Sequence, residues 1–154
     1  MEIAYLTRTI RFSAAHRYYR PEWSEERNRA VFGACSNPHG HGHNYLLEVM
    51  VAGAPDPLTG FAADLGALDA ALREVVLLPL DHQHLNHAVA EFQDGGLIPT
   101  TENILIWIWD RLAPRIPDTH LVRLRLREDT DLCADYYGPT PEETGARPQQ
   151  GIDL

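Results

Sequence analysis

Apolar and polar residues alternate along four stretches of this chain, which is the pattern of β-strands that bury one face. Strands are predicted over 6–16, from 41 to 51, over 119–128 and over 131–137. The buried faces would carry Leu6, Ile10, Phe12, Ala14 and His16 on the first strand, His41, His43, Tyr45, Leu47, Val49 and Val51 on the second, and Val122, Leu124 and Leu126 on the third. The first two faces therefore combine apolar side chains with histidines.

Helical periodicity occupies the region between the second and third strands. Asp64 is a suitable N-cap for a first helix, which Pro79 would end. Thr100 or Thr101 can cap a second helix, which Pro114 would end. The apolar stripes of the two helices consist of Leu65, Leu68, Leu72 and Val75 or Val76, and of Ile104, Trp107, Ile108 and Leu112.

The order ββααββ predicts an α+β fold, in which a four-stranded antiparallel sheet carries both helices on one face. The polar segment from 17 to 35 is predicted to be a loop. Such a sheet leaves two strand edges unpaired, so we expect edge-to-edge association into an oligomer. The 154 residues suffice for one domain, which we assign to 1–138, and the Pro- and Glu-containing tail 139–154 is predicted to be disordered.

Composition and charge exclude several classes of protein. The net charge is −9 and no basic stripe balances it, which argues against a nucleic-acid partner. No apolar run approaches the roughly 18 residues of a membrane span, and the N-terminus lacks the features of a signal peptide. Cys35 and Cys133 are too few for a disulfide framework. We therefore expect a cytoplasmic protein with free thiols, with a single Cys35–Cys133 disulfide as the alternative.

Three histidines occur at alternate positions where the second strand begins. His39, His41 and His43 would lie about 6.6–7 Å apart on one face, and His16 ends the first strand. Two of these imidazoles and His16 can converge on one divalent metal and leave a fourth position open, as in catalytic zinc sites. Strand parity leaves open whether His39 or His41 accompanies His43. The alternative interpretation is a polar histidine cluster without a metal.

Two further motifs could carry proton transfer. Cys35 lies close to the histidines in sequence, and a neighbouring dication and imidazoles would favour its thiolate, although an inert buried thiol is the alternative. Asp81 and His82 could form a carboxylate–imidazole pair, but adjacent residues do not automatically face each other. His84 and His87 are alternatives to His82 as the working imidazole.

Glu128 is the last residue of the predicted third strand and lies on the same face as Val122, Leu124 and Leu126. A carboxylate on a buried face is costly unless donors meet it, so this position suggests an anchor for a ligand with two adjacent N–H groups. Thr100, Thr101 and the helix N–H groups behind them could meet the polar rim of the same ligand. The alternative is that the strand has ended and that Glu128 is solvated.

Taken together, these segments resemble the 6-pyruvoyltetrahydropterin synthase family, which includes the 6-carboxytetrahydropterin synthases of deazapurine (queuosine) synthesis. The resemblance covers roughly residues 8–137. It is carried by Phe12-Ser13-Ala14-Ala15-His16-Arg17, Cys35 with five residues before His41-Gly42-His43-Asn44-Tyr45, Leu80-Asp81-His82, Thr100-Thr101-Glu102-Asn103 and Glu128.

The resemblance implies a tunnelling fold (T-fold), in which trimers form a β-barrel and two trimers stack into a hexamer. The implied substrate is a pterin triphosphate, 7,8-dihydroneopterin triphosphate, and the implied cofactor is Zn²⁺. The implied residues are His16, His41 and His43 as zinc ligands, Cys35 as the base, Asp81 and His82 as a proton-transferring pair, Glu128 as the pterin anchor, and Thr100, Thr101 and Glu102 in the substrate site. The cysteine and the pair can come from neighbouring subunits in this family.

The spacing of the motifs favours one reaction within the family. Five residues separate Cys35 from His41, which resembles the enzymes that form the 6-pyruvoyl product, whereas three are common in the carboxy-forming bacterial enzymes. The 6-carboxy product, with release of acetaldehyde, remains the alternative. A third relative that cleaves the same substrate toward folate usually carries glutamate at the position of Cys35. A non-catalytic zinc- or pterin-binding module is the alternative from another class.

Overall fold

A computed structural model describes residues 1–140 as a five-stranded sheet with helices on one face. The strands are β1 (Ala4–His16), β2 (His41–Gly53), β3 (Gln83–His84), β4 (His120–Arg127) and β5 (Cys133–Tyr136), and the main helices are α1 (Glu25–Phe32), α2 (Leu65–Leu72) and α3 (Thr101–Leu112). The sheet order is β3-β1-β2-β4-β5, and only the β1–β3 pairing is parallel. From residue 141 onward, the tail predicted over 139–154 lies outside the described residues.

The prediction of four strands is wrong by one short strand. Gln83 and His84 pair with Ala14 and Ala15 at the outer edge of β1. A two-residue strand is too short to produce an alternating pattern, and its pairing depends on the chain passing beside β1. The pairing is reinforced just upstream, where the backbone N–H of His82 donates to the carbonyl of Ser13 over 2.6 Å.

The loop predicted between the first two strands contains helix α1. Ser24 caps this helix, because its hydroxyl accepts from the N–H of Arg27 over 3.1 Å. Of its eight residues only Asn28 is buried, so it has no apolar stripe that periodicity could reveal. The Asn28 side chain instead accepts from the N–H of Arg20 and donates to its carbonyl, which ties the helix to the chain leaving β1.

Both predicted helices form, with the expected caps. Asp64 accepts from the N–H of Ala67 and Thr100 from that of Asn103. Pro79 does not end the first helix: α2 continues through a π-helical stretch, Arg73–Leu77, into a last turn, Leu78–Leu80. The wider π-helical turn before Pro79 relieves the clash that a proline ring makes within a regular α-helix.

The core lies between the sheet and helices α2 and α3, as the strand parity predicts. Buried side chains on the sheet side include Phe12, Tyr45, Leu47, Val49, Leu124 and Leu126, and on the helix side Leu68, Leu72, Val76, Ile104, Ile108 and Leu112. One position departs from the prediction: Leu121 is buried in place of Val122, because a β-bulge shifts the register between Met50 and Val51. Within residues 1–140, no helix combines the length and the apolar character that a membrane span requires.

Candidate metal and active site

Strand pairing brings three histidines together at one end of the sheet. His16 at the end of β1 is paired with His41 at the start of β2, and Ala14 is paired with His43. The three ring centroids lie 4.9, 5.0 and 4.9 Å apart, and one ligand nitrogen from each ring lies within 4.8 Å of the others. His39 is exposed and does not belong to this group, so the geometry favours His41 as the companion of His43.

The arrangement of these nitrogens fits a zinc ion. Tetrahedral zinc with Zn–N bonds of about 2.0–2.1 Å places two ligand nitrogens about 3.3–3.4 Å apart. The Nε2 atoms of His16 and His41 are 3.2 Å apart. Burial, together with the other two histidines, lowers the pKa of His16 to about 3, so its imidazole is neutral as a metal ligand must be.

His43 provides a second indication of fit. Its Nε2 atom is buried and has no hydrogen-bond partner in the described part of the chain. It lies 3.0 Å from Oε1 of Glu128, but without the orientation of a hydrogen bond. A buried nitrogen without a partner is costly, and coordination of a metal would satisfy it.

Cys35 contacts the histidine group. It lies in a short 3₁₀ turn, Gly33–Ser36, and its Sγ atom is 3.7 Å from Nε2 of His41. Burial and the Glu128 carboxylate raise the pKa of this thiol. The positive charge of a dication held by the histidines would act in the opposite direction and favour the thiolate, so the expectation that a dication and imidazoles together favour it stays a prediction.

Glu128 is buried beside the same group, as its parity predicts, and the solvated alternative is wrong. Its exposed fraction is 7 %, and its Oε2 atom accepts from the hydroxyl of Thr101 over 2.6 Å. The neighbouring residues that were also predicted to lie in the substrate site are placed differently from Thr101. Thr100 caps α3, and Glu102 is exposed. Within residues 1–140, Thr101 is the one residue of the predicted Thr-Thr-Glu segment that bonds to the carboxylate.

Asp81 and His82 do face each other. Oδ2 of Asp81 is 3.0 Å from Nδ1 of His82, and His82 has a positive φ of 58°, which turns its side chain back toward its neighbour. The N–H of Ser13 donates to Oδ1 of Asp81 over 2.9 Å and lowers the pKa of that carboxyl. The pair lies at the outer edge of β1, with the His82 side chain 81 % exposed, and within the described chain it makes no hydrogen bond or ion pair to the three histidines.

Two tyrosines complete the surroundings of His16. The ring of Tyr18 lies 4.6 Å from the His16 ring, and the hydroxyl of Tyr45 lies 3.0 Å from Nδ1 of His16. Burial raises the pKa of both tyrosines well above the usual range, so both hydroxyls stay protonated. Tyr45 shares the strand parity of the histidines and could have been noticed on that ground, whereas Tyr18 follows the end of β1 and carries no periodic signal.

The sequence and the fold of this chain are similar to those of known proteins. Residues 5–139 match the family model described as 6-pyruvoyl tetrahydropterin synthase. The chain is 41 % identical over 136 residues to the 6-pyruvoyl tetrahydrobiopterin synthase of Poecilia reticulata, covering 88 % of this chain and 91 % of that protein. It is 40 % identical to the human enzyme of the same name over 135 residues, covering 88 % and 92 %. The solved Caenorhabditis elegans 6-pyruvoyl tetrahydropterin synthase superposes with a TM-score of 0.82 at 32 % identity, covering 90 % of this chain and 98 % of that one.

Proposed function

This chain belongs to the 6-pyruvoyl tetrahydropterin synthase family and has its T-fold, and from that premise we propose that it is a zinc-dependent 6-pyruvoyltetrahydropterin synthase. Its substrate would be 7,8-dihydroneopterin triphosphate. The reaction eliminates triphosphate and forms a tetrahydropterin with a dicarbonyl side chain. No redox cofactor is needed, since the ring is reduced by the two electrons that the side chain loses.

One observation carries this proposal: Cys35 and Glu128 both contact the three-histidine group. The thiol is 3.7 Å from His41, and the carboxylate is 3.0 Å from His43. A purely structural zinc site has no need for a buried carboxylate beside its ligands, and Cys35 is not among the three residues whose ligand atoms converge. The arrangement therefore favours a catalyst over a binding module.

We assign the metal to His16, His41 and His43, the group of nitrogens within 4.8 Å of one another. Zinc bound there would act as a Lewis acid toward the side-chain oxygens of the substrate and acidify the adjacent C–H bonds. The three ligands leave the fourth position for the substrate.

The residues around the metal ligands have separate roles in this proposal. Glu128 would hold the pterin ring through two parallel hydrogen bonds from its amino and ring N–H groups. Thr101 would keep the carboxylate oriented by donating to Oε2. Cys35 would remove a proton from the substrate side chain, which it can reach from its position beside His41.

We propose that the Asp81–His82 pair serves the active site of a neighbouring subunit in a hexamer of two trimers. The pair projects from the edge of β1, and His82 is largely exposed while Asp81 orients it. A proton-transferring imidazole at a sheet edge can reach a second subunit when edges pair. We also propose a cytoplasmic location, where Cys35 and Cys133, both free thiols in the structure, stay reduced.

The decisive experiment is incubation of the zinc-loaded enzyme with 7,8-dihydroneopterin triphosphate without oxygen, with products resolved by mass spectrometry. The expected result is 6-pyruvoyltetrahydropterin with one equivalent of triphosphate, and loss of turnover after treatment with a chelator. A 6-carboxy product with acetaldehyde would instead assign the chain to deazapurine synthesis. Unchanged substrate would overturn the enzymatic proposal in favour of a binding module.

Replacing Glu128 by glutamine is expected to raise KM for the pterin about 10–100-fold, because hydrogen bonds to a charged partner contribute about 1.5–3 kcal/mol. Steady-state kinetics and metal analysis of the same sample would measure this effect, and zinc content should not change. Glu74→Gln, in the π-helical stretch Arg73–Leu77, removes the same charge at an exposed ion pair with Arg115 and should leave KM unchanged. Loss of zinc from the Glu128 variant would contradict the role of pterin anchor.

A further inference from the structure

Tyr45 lies behind the most enclosed of the three histidines. His16 is fully buried, whereas His41 and His43 are partly exposed. Tyr45 follows His43 by two positions on the same face of β2 and is 1 % exposed. Its ring stacks on Phe12 with a centroid distance of 4.9 Å and an interplanar angle of 12°. The hydroxyl is thereby held 3.0 Å from Nδ1 of His16.

We propose that the Tyr45 hydroxyl is a positioning group that keeps the His16 proton on Nδ1 and so presents the Nε2 lone pair to the metal. This inference rests on the proposed zinc site. A neutral imidazole carries one proton, so Nε2 can bind a metal only if Nδ1 holds that proton. The Tyr45 oxygen is placed to accept it. Nε2 then faces the Nε2 atom of His41, 3.2 Å away, as two ligands of one ion would.

Within residues 1–140, neither of the other two proposed ligands has a buried side chain bonded to its Nδ1 atom. Nδ1 of His43 lies 3.5 Å from Asp129, whose side chain is 61 % exposed and therefore only loosely held. The backbone carbonyl of Pro99 is a second polar group beside the His16 ring. Apart from His41, Tyr45 is the one residue within residues 1–140 whose side chain is hydrogen-bonded to the His16 ring.

The test is Tyr45→Phe, which removes the oxygen and keeps the stacked ring. Competition with a chromophoric chelator in the full-length protein would measure zinc affinity directly, without reference to turnover. The expected result is an affinity about 10–100-fold weaker than that of the parent, the usual cost of losing a partner behind a metal ligand. The control is Tyr19→Phe, since that hydroxyl bonds to Asp94 instead, and its zinc affinity should stay within twofold of the parent.

Equal affinity in Tyr45→Phe and the parent would overturn the inference and assign the orientation of His16 to the Pro99 carbonyl alone. Should Tyr45→Phe fail to fold, ¹⁵N spectra of the histidine-labelled parent enzyme decide the question, with the His16 signals assigned by comparison with His16→Gln. They should report a protonated Nδ1 in His16, and a protonated Nε2 would overturn the inference. If the parent itself binds no zinc, the proposed function fails, and that outcome is distinct from an unchanged affinity in the variant.

Discussion

Alanine in place of Cys35 is expected to lower kcat by about 10²–10⁴-fold, the usual contribution of a general base. Zinc content should not change, because Cys35 lies beside the histidine group and is not one of its three nitrogens. KM for the pterin should change little, since Glu128 and Thr101 remain in place. Steady-state kinetics combined with elemental analysis would measure all three quantities.

Cys133→Ala is the matched control for this variant. Cys133 is the other cysteine of the chain, and it lies on the exposed face of β5. Its replacement should leave both kcat and zinc content as in the parent. If Cys35→Ala retained full kcat, another group would have to act as the base. If it lost zinc, Cys35 would be a metal ligand instead.

His41→Ala is expected to abolish both zinc retention and turnover. Removing one of three protein ligands should weaken zinc binding by more than the roughly 10–100-fold that follows loss of an outer-shell partner. The metal content after dialysis against a dilute chelator would measure this loss. Turnover should fall in proportion to the zinc that remains.

His39→Ala provides the comparison, because it removes the same imidazole two residues earlier from an exposed position. This variant should keep its zinc and its activity. The opposite pattern, with zinc lost from His39→Ala and kept by His41→Ala, would transfer the ligand role to His39. Such an outcome would mean that β2 begins in a different register from the one observed here.

Strand parity was sufficient to place most of the candidate site residues on the buried face of the sheet, although it did not choose between His39 and His41. His16, His41 and His43 belong to the same alternating pattern as Phe12 and Leu47. Burial of these apolar residues therefore places the histidines on the buried face of the sheet. The burial of Glu128 follows from its register with Leu126 by the same argument. These residues could be predicted because the alternation of a strand is a local property of the sequence.

Other features were not evident from the alternation of apolar and polar residues. Helix α1 is held by the buried amide of Asn28 and lacks an apolar stripe, and β3 is too short to alternate. The bulge in β4 buries Leu121 in place of Val122. It arises from the pairing of β4 with β2, which the sequence of β4 alone does not reveal. The raised pKa of Cys35 likewise results from burial and from Glu128, which is distant in sequence.

The α+β order, the buried faces of the strands and the family could be predicted from the amino-acid sequence, since these depend on periodicities and motifs within short segments. Three features became visible only in the folded chain: His41 and not His39 joins His16, Tyr45 contacts Nδ1 of His16, and Asp81 and His82 contact each other. Each of these depends on contacts between residues far apart in the chain. Such contacts are determined by how strands pair and pack, and no local pattern encodes them.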